Sequence, residues 1–293
     1  MICRRWYEIS SLRAGLGEVQ LCEVADSGEL AAVVSSLSAP PLILGGGTNV
    51  LGLDTLSPRA AVRLARRSSV ECRSDGMLRF GAGQGLCGAL RLAAANGWGG
   101  LAALSGIPGT VGGAVAMNAG ANGMALGDVI ESIEGWDCVR AQPWRWQRTA
   151  ATAGDFSYRC SPLPPQVMVF FCTLRMQAVE SATELAAIAE ETQRRRLRNP
   201  QAPSAGSVFR NPPGESAGLL LEAAGCKGMQ RGNLSVSAMH ANWIVNLSGR
   251  PAAAADALSL IGEMRRRVRE RFAVTLKPEY RIVGEMPREC ADG

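Results

Sequence analysis

The chain has 293 residues, which is enough for two or three compact lobes, and its hydrophobic fraction of 47% is ordinary for a folded protein. The formal net charge is +5, and His240 is the only histidine, so zinc sites built on histidine, Ser-His-Asp triads and Cys-His dyads have almost no material. The first eleven residues carry charges at Arg4, Arg5 and Glu8 and no apolar run, so we expect no secretory signal. The nine cysteines form no C-x-x-C pair, and we expect them to be reduced thiols.

Apolar spacing, capping signals and glycine or proline breaks predict a mixed series of helices and strands. Up to residue 178, the predicted elements begin with a capping box at Asp26 and Glu29 and a helix to Leu37, followed by strands at 42–44 and 78–80. A helix at 86–95, glycine-rich turns with short strand over 101–127, and a strand at 167–174 follow. Beyond it come a capping box at Ser181 and Glu184 with a helix to Arg198, a loop over 199–214, a helix at 216–225, a half-buried strand at 241–247 whose polar positions are Asn242 and Asn246, and a helix with Leu258 to Phe272 on one stripe. We therefore expect a first domain at 1–178, with two lobes that divide near 60–70, and a second domain at 179–293.

Two features call for a test against a membrane or nucleic-acid role. The stretch 92–127 has no charged side chain, but Pro108 and ten glycines interrupt it, so a spanning helix is not expected. The basic runs 194–198 and 265–269 fall toward the ends of predicted helices, where cations suit the helix dipole. We interpret them as solvated helix ends rather than a nucleic-acid surface, because no aromatic stacking platform accompanies them.

A glycine fingerprint at Gly83-x-Gly85-x-x-Gly88 follows a predicted strand and opens a helix, as in dinucleotide-binding Rossmann units. Those units also use an acidic residue about 20 positions further on, and no Asp or Glu lies between Asp75 and Asp128. The simple Rossmann interpretation therefore fails. A glycine-rich region without carboxylates can instead bring backbone N–H groups to a pyrophosphate, from segments 45–49 and 106–113. The alternative, in which these glycines only shape turns, stays open on composition alone.

The words around these glycines are more specific. Leu-Gly-Gly-Gly-Thr-Asn-Val-Leu at 44–51 and Leu-Ser-Gly-Ile-Pro-Gly-Thr-Val-Gly-Gly-Ala-Val-Ala-Met-Asn-Ala-Gly-Ala at 104–121 closely resemble UDP-N-acetylenolpyruvoylglucosamine reductases. Phe-Ser-Tyr-Arg at 156–159, Pro-Ser-Ala-Gly-Ser-Val-Phe-Arg-Asn-Pro at 203–212 and Pro-Glu-Tyr-Arg-Ile-Val-Gly at 278–284 follow in that family's order. The stretches 219–228 and 240–246 also match, so the resemblance spans nearly the whole chain. Because no insertion follows Arg159, the chain resembles the shorter subclass.

The resemblance implies an α+β fold, with an FAD-binding domain of the vanillyl-alcohol-oxidase type in two lobes and a smaller α+β substrate-binding domain. It implies noncovalent FAD, NADPH as the electron source, and UDP-N-acetylglucosamine enolpyruvate as the substrate that is reduced to UDP-N-acetylmuramate. The residues that the resemblance assigns to FAD are Gly45, Gly46, Gly47, Thr48, Asn49, Ser105, Gly106, Ile107, Pro108, Gly109, Thr110, Gly112, Gly113, Asn118, Ala119 and Gly120. It implies no metal.

The same resemblance supplies a catalytic set. Arg159 suits the substrate carboxylate, because a guanidinium can hold a carboxylate through two hydrogen bonds. Ser207 occupies the family's proton-donor position, and Glu279 its acidic position, where it would polarise the substrate or assist the proton relay. The residues expected to line the UDP-sugar and cofactor pocket are Tyr158, Arg210, Asn211, Lys227 and His240. Departures at Leu16, Ala102 and Asn122, where the family usually has glycine, glutamate and tyrosine, bear on FAD affinity.

Two alternatives remain at this stage. One is a flavin-dependent carbohydrate oxidoreductase on the same fold, and the other is a binding homologue that has lost catalysis. The joint presence of Arg159, Ser207 and Glu279 argues against the second. We expect a cytoplasmic monomer with a role in peptidoglycan precursor synthesis and no nucleic-acid or membrane partner.

Overall fold

A computed structural model describes residues 1–55, 57, 59–66, 69–72 and 75–284. Its α-helices are α1 (Trp6–Ile9), α2 (Ser27–Ser35), α3 (Leu86–Ala95), α4 (Val111–Ala116), α5 (Ser181–Arg198), α6 (Ala217–Ala223) and α7 (Ala254–Phe272). Its strands are β1 (Ile2–Arg5), β2 (Glu18–Val24), β3 (Leu42–Leu44), β4 (Val50–Gly52), β5 (Ala61–Leu64), β6 (Val70–Cys72), β7 (Met77–Gly81), β8 (Trp98–Gly99), β9 (Gly120–Ala121), β10 (Met124–Ala125), β11 (Ile130–Asp137), β12 (Gln142–Gln147), β13 (Val167–Arg175), β14 (Gln177–Ala178), β15 (Ser204–Ser207), β16 (Gln230–Arg231), β17 (Leu234–Val236), β18 (Trp243–Asn246) and β19 (Arg281–Val283). Within these described ranges, no helix combines the length and the apolar character that a membrane span requires.

The chain divides into two compact units. The first comprises Met1, Leu21–Gly46 and Arg59–Arg195, and the second the described residues of Ile2–Gln20, Gly47–Pro58 and Arg196–Gly293. This division differs from the expected one at residue 178, because α5 packs with the first unit and two amino-terminal segments pack with the second. The boundaries 1–178 and 179–293 stay a prediction, and the lobe division near 60–70 includes Arg67 and Ser68, which lie outside the described residues.

The first unit contains a small parallel layer. Strand β5 pairs in parallel with β2 and with β3, and α2 connects those two strands. The helix buries Leu30 against Cys22, Val24 and Val62. The capping box predicted at its start is confirmed in part: the Asp26 carboxylate accepts the N–H of Glu29 at 2.9 Å, but the Glu29 carboxylate accepts the N–H of Ala25 rather than that of Asp26.

The first unit also contains a larger antiparallel sheet. Its strand order is β12-β11-β13-β7-β6, and every pair is antiparallel. Helices α3 and α4 bury Leu86, Leu90 and Val115 in a core shared with Phe80 and Ile133 of the sheet. The glycine fingerprint follows β7 and runs into the first turn of α3, as predicted. The sheet that contains β7 is antiparallel, however, and a Rossmann sheet is parallel. At its third position, Gly88, a Cβ would meet open space, so packing does not require glycine there.

The second unit has its own sheet and core. The antiparallel strand order is β15-β18-β17-β16, and β19 pairs in parallel with β4. Helix α7 buries Leu260, Met264 and Val268 in a core that also takes Phe209 and Ile244. The apolar stripe predicted for the last helix is thereby confirmed. Together the two units give the α+β class that the sequence predicts.

Two local predictions are wrong. The strand β18 was expected to expose its asparagines, yet Asn242 and Asn246 are buried and Leu247 is exposed. The reason is that the two amides hydrogen-bond backbone groups of other segments, so the polar positions face inward. Helix α5 begins at Ser181 as predicted, but Glu180 accepts the N–H groups of residues 182 and 183, and Glu184 instead accepts the N–H of Gly100 at 2.9 Å.

The basic runs contain many arginines paired with glutamates of their own helices. Arg194 pairs with Glu190 and Glu191, and Arg266 pairs with Glu263 and Glu270. Apart from Cys72, the cysteines in the described part of the chain are free thiols, and four of these are buried; Cys290 lies outside it.

Candidate functional site

Two glycine segments of the first unit touch each other. A Cβ on Gly45 would lie 2.9 Å from the Thr110 Oγ1 atom, and one on Gly46 would lie 3.1 Å from the Gly109 Cα atom. Any larger side chain would separate the two backbones. Glycine at 45 and 46 therefore serves close backbone approach between the segment after β3 and the segment before α4.

Much of the second glycine segment is hydrogen-bonded internally. The N–H of Gly106 donates to the Cys87 thiol at 3.2 Å, and those of Val111 and Gly112 donate to backbone carbonyls at 2.9 Å. The hydroxyl of Thr110 accepts the N–H of Gly113 and caps α4. These internal bonds reduce the number of N–H groups that a pyrophosphate can use, so the grip expected from 106–113 must be narrower than the sequence suggests.

One buried polar atom in this segment fits a bound group. Ser105 is almost fully buried, and no described residue hydrogen-bonds its hydroxyl. A buried hydroxyl without a partner costs free energy, so such an atom points to a partner that is not protein. With the close-packed glycines next to it, this part of the first unit fits the phosphate-bearing end of FAD.

The turn that carries Arg159 is anchored by Asn118. This buried side chain donates to the Ser157 carbonyl at 2.8 Å and accepts the N–H of Gly127 at 2.8 Å. Its neighbours in the expected FAD set are also tied down: the N–H of Ala119 donates to the Ala114 carbonyl at 2.8 Å. Asn118 was assigned to the cofactor, and its amide also positions the 157–160 turn.

Arg159 adopts a backbone conformation that arginine rarely uses. Its φ of +57° lies in the left-handed region, which costs about 1–2 kcal/mol for a residue with a Cβ. Its guanidinium donates to the Gly120 carbonyl at 3.4 Å and lies 5.4 Å from the centre of the exposed Tyr158 ring. Strain of this kind persists where the surrounding structure fixes the turn, and it is common at functional sites.

The second unit brings Ser207 and Glu279 onto adjoining backbone segments. Ser207 ends β15, and the N–H of Glu279 donates to the carbonyl of the next residue, Val208, at 2.7 Å. The amide of Asn49 donates to the Glu279 carbonyl at 3.0 Å, and the Asn49 carbonyl accepts the N–H of Arg281 at 2.9 Å. Of the expected FAD residues, 47–49 belong to this unit, so the segment 45–49 is shared between the two units.

Two residues that the sequence reasoning missed hold Ser207 in place. The Asn242 side chain accepts the Phe209 N–H at 2.9 Å and donates to the Phe209 carbonyl at 2.8 Å. The buried Tyr280 hydroxyl donates to the Gly206 carbonyl at 3.2 Å, and burial raises the pKa of this phenol. No sequence signal separates these two from an ordinary strand asparagine and tyrosine, because their partners are 33 and 74 positions away.

The remaining pocket residues lie on the second unit, apart from Tyr158. Lys227 pairs with Glu222 at 2.6 Å, and Asn211 accepts the N–H of Ala217 at 3.0 Å. The Arg210 Nε atom is buried and has no hydrogen-bond partner among the described residues. It is therefore the cation of this set that a bound anion would satisfy.

His240 is partly buried, and its Nδ1 atom accepts the N–H of Asn242 at 3.2 Å. Burial and the nearby Lys227 charge lower the pKa of this imidazole, which favours its neutral form. A neutral ring with Nδ1 as an acceptor carries its proton on Nε2. His240 can therefore donate one hydrogen bond from Nε2.

Comparisons with known proteins agree with this architecture. Residues 20–142 match the model of an FAD binding domain, and residues 198–283 match the model of the C-terminal domain of UDP-N-acetylenolpyruvoylglucosamine reductase. The reductase of Anaeromyxobacter sp. (strain K) is 38% identical over 97% of this chain and 85% of its own length. That of Rubrobacter xylanophilus is 40% identical over 84% of this chain and 81% of its own length.

A solved structure gives the same result in three dimensions. The crystal structure of the UDP-N-acetylenolpyruvylglucosamine reductase from Thermus caldophilus superimposes with a TM-score of 0.80 at 32% identity, covering 97% of this chain and 98% of that one. Both the sequence and the fold are thus shared over almost the full length. The chain belongs to the UDP-N-acetylenolpyruvoylglucosamine reductase family.

Proposed function

We propose that this chain carries out the reduction for which its family is named. UDP-N-acetylglucosamine enolpyruvate would be reduced to UDP-N-acetylmuramate, with NADPH as the electron source and noncovalent FAD as the carrier. The observation that carries the proposal is the pairing of Ser207 and Glu279 on adjoining backbone in a chain of this family. This reaction is a step of peptidoglycan precursor synthesis.

The residues that would hold FAD are the glycines at 45 and 46, the hydroxyl of Ser105 and the Gly109–Thr110 backbone of the first unit. The resemblance also assigns Thr48 and Asn49 to the cofactor. Bound FAD would supply the hydride that the terminal carbon of the enol ether accepts. The protein's own task is then to stabilise negative charge on the substrate and to deliver one proton.

Arg159 suits the first task. Hydride addition at the terminal carbon pushes an electron pair onto the carbon that bears the ether oxygen and into the adjoining carboxylate. A guanidinium that holds this carboxylate stabilises the charge as it develops. The strained turn at Arg159 is the structural sign of a side chain whose direction matters.

Ser207 suits the second task. Its hydroxyl would give a proton to the carbon that bears the ether oxygen, which completes the addition of one hydride and one proton. Ser207 is only partly buried at the end of β15, which leaves its hydroxyl accessible to a ligand. Glu279, next to Ser207 through Val208, would assist the relay that returns a proton to the serine.

The substrate-binding roles follow from charge. Arg210 and Lys227 are cations suited to the diphosphate, and Asn211, Tyr158 and the Nε2–H of His240 can hydrogen-bond the nucleotide sugar. We further propose that the enzyme acts as a cytoplasmic monomer without a nucleic-acid partner. The pairing of arginines with neighbouring glutamates along α5 and α7 supports the absence of a nucleic-acid partner. Light scattering would test the monomeric state, and its repetition with an oligonucleotide would test the absence of nucleic-acid binding.

The test is an anaerobic experiment on the purified protein. We expect a flavin spectrum, bleaching by NADPH, and rapid return of colour on addition of UDP-N-acetylglucosamine enolpyruvate. Bleaching without recovery by the sugar nucleotide would keep the cofactor and overturn the substrate. A protein that takes up no flavin, even on reconstitution, would overturn the proposal as a whole.

A further inference from the structure

A buried carboxylate on α5 lies close to the candidate catalytic turn. Glu191 is only 6% exposed, and its carboxylate accepts the Asn122 amide at 2.9 Å. Two arginines of the same helix also pair with it, Arg194 at 3.1 Å and Arg195 at 3.4 Å. A buried carboxylate costs several kcal/mol unless it is compensated, and here one hydrogen bond from Asn122 and the charges of two arginines compensate it.

Asn122 forms the turn of the β9–β10 hairpin. Its φ of +51° lies in the left-handed region, which asparagine tolerates better than other residues with a Cβ. The Asn122 amide donates to the Glu191 carboxylate. It fixes the tip of the hairpin against α5.

The base of the same hairpin receives Arg159. The Arg159 Nη1 atom donates to the carbonyl of Gly120, the first residue of β9. Two hydrogen bonds therefore hold the hairpin from its two ends, one from Arg159 and one from Glu191. A shift of the tip would move the carbonyl that orients the guanidinium.

Glu191 also connects this hairpin to the glycine segment. Arg195 donates to the Ala103 carbonyl at 3.4 Å, and a Cβ on Gly106 would lie 2.7 Å from the Arg195 Cδ atom. Burial lowers the pKa of the Arg195 guanidinium, the Glu191 charge opposes that change, and the Arg159 charge adds to it.

From these contacts we infer that Asn122 and Glu191 are positioning residues for Arg159, acting through the Gly120 carbonyl. The inference depends on the role proposed for Arg159 above. Its consequence is specific. Loss of the Asn122–Glu191 bond should slow the transfer to the sugar nucleotide and leave the flavin content and the NADPH step unchanged.

The experiment uses the FAD-loaded enzyme and N122G. Glycine keeps the left-handed turn and removes only the amide. We expect flavin reoxidation at saturating UDP-N-acetylglucosamine enolpyruvate to slow about tenfold, because small misplacements of catalytic groups cost rate rather than binding. Bleaching by NADPH and the flavin content should match the wild type, whereas the thermal midpoint should fall, because the buried Glu191 carboxylate loses a hydrogen bond. A purely structural role would lower that midpoint but leave the two half-reactions in the same ratio.

Further variants complete the test. E190Q alters the exposed glutamate beside Glu191 and should behave as wild type. The double variant is compared with E191Q, which keeps the length of the side chain: N122G/E191Q should be no slower than E191Q alone, since the Asn122–Glu191 hydrogen bond is then already altered. If E191Q does not fold, N122D serves instead, because it keeps the turn and places a carboxylate against Glu191; it should slow reoxidation as N122G does.

The outcomes separate this inference from the proposed function. If R159A reoxidises slowly while N122G and N122D keep the wild-type rate, the inference is overturned alone. If R159A keeps the wild-type rate, the role of Arg159 falls and the inference falls with it. An enzyme that never transfers to the sugar nucleotide overturns the function itself.

Discussion

The two candidate catalytic segments are held by contacts of very different reach along the chain. The Arg159 turn depends on Asn118 and Gly120, which lie 39 positions from their partners. The Ser207 region depends in part on Asn49, whose partner Glu279 is 230 positions away. Elsewhere in the same unit, the amide of buried Asn246 reaches Leu12, 234 positions away.

This difference has a physical consequence. Contacts between distant segments form only after the entropy of closing a long loop has been overcome, so they tie the site to the folding of the whole unit. Contacts of moderate range can change without that coupling. We therefore expect loss of the Asn49–Glu279 contact to lower stability, whereas loss of the long Arg159–Gly120 hydrogen bond should change activity more than stability.

The largest expected effect would separate chemistry from scaffold within the second unit. Ser207→Ala should leave bleaching by NADPH intact and slow sugar-nucleotide reduction about 10²–10⁴-fold, the usual contribution of a general acid. Stopped-flow absorbance of the flavin measures both steps. Ser204→Ala, on the same strand, is the matched control and should react normally. Equal losses in both half-reactions would rule out Ser207 as the proton donor.

The next prediction tests the scaffold itself. Asn242→Ala leaves the buried Phe209 N–H and carbonyl without their side-chain partner, which should lower the free energy of unfolding by about 3 kcal/mol. Denaturant titration measures this. Asn233→Ala removes a surface amide and should cost little. An Asn242 variant as stable as that control would contradict the claim that these two hydrogen bonds stabilise the Ser207 region.

A smaller loss of stability, confined to the second unit, is expected from substitution of Asp54. The Asp54 carboxylate accepts the N–H groups of Ala254 and Ala255, at the start of α7, and that of Leu16. Asp54→Ala should therefore lower stability by about 1–2 kcal/mol, as the loss of a helix cap does.

Hydrogen exchange can locate that loss. Amides of α7 should exchange faster in Asp54→Ala, while those of β11 and β13 in the first unit stay protected. Asp54→Asn keeps one acceptor oxygen and should lose less. Faster exchange throughout β11 and β13 would show that the two units are not independent in stability.

The smallest expected effect depends on pH. Because the pKa of His240 is lowered in the folded protein, the unfolded chain binds the proton more readily. The contribution of His240 to stability is thus present above its ordinary pKa of about 6.5 and falls as the pH drops below that value, until the folded-state pKa is reached. His240→Asn can keep an acceptor for the Asn242 N–H without titrating. Thermal midpoints between pH 7.5 and 5 should therefore fall more in the wild type; parallel curves would contradict the assignment.

Much of the fold could be read from local signals. The box at Asp26 and Glu29, the stripe of α7 and the apolar run of β13 each carry their information within a few residues, because capping and periodicity are local properties. The motifs at 44–51, 104–121 and 203–212 likewise identified the family, since chance agreement over that length is implausible.

Only the tertiary structure decided where the polar side chains act. The alternation around β18 suggested exposed asparagines, and the fold buries them because their amides hydrogen-bond the carbonyls of Phe209 and Leu12. No local sequence signal distinguishes Glu191 from the other charged residues of α5, yet its carboxylate accepts a hydrogen bond from the hairpin whose Gly120 carbonyl binds Arg159. The sequence determined the elements, the family and the chemistry of single residues, whereas the pairing of residues 33 to 234 positions apart depends on packing that no local pattern encodes.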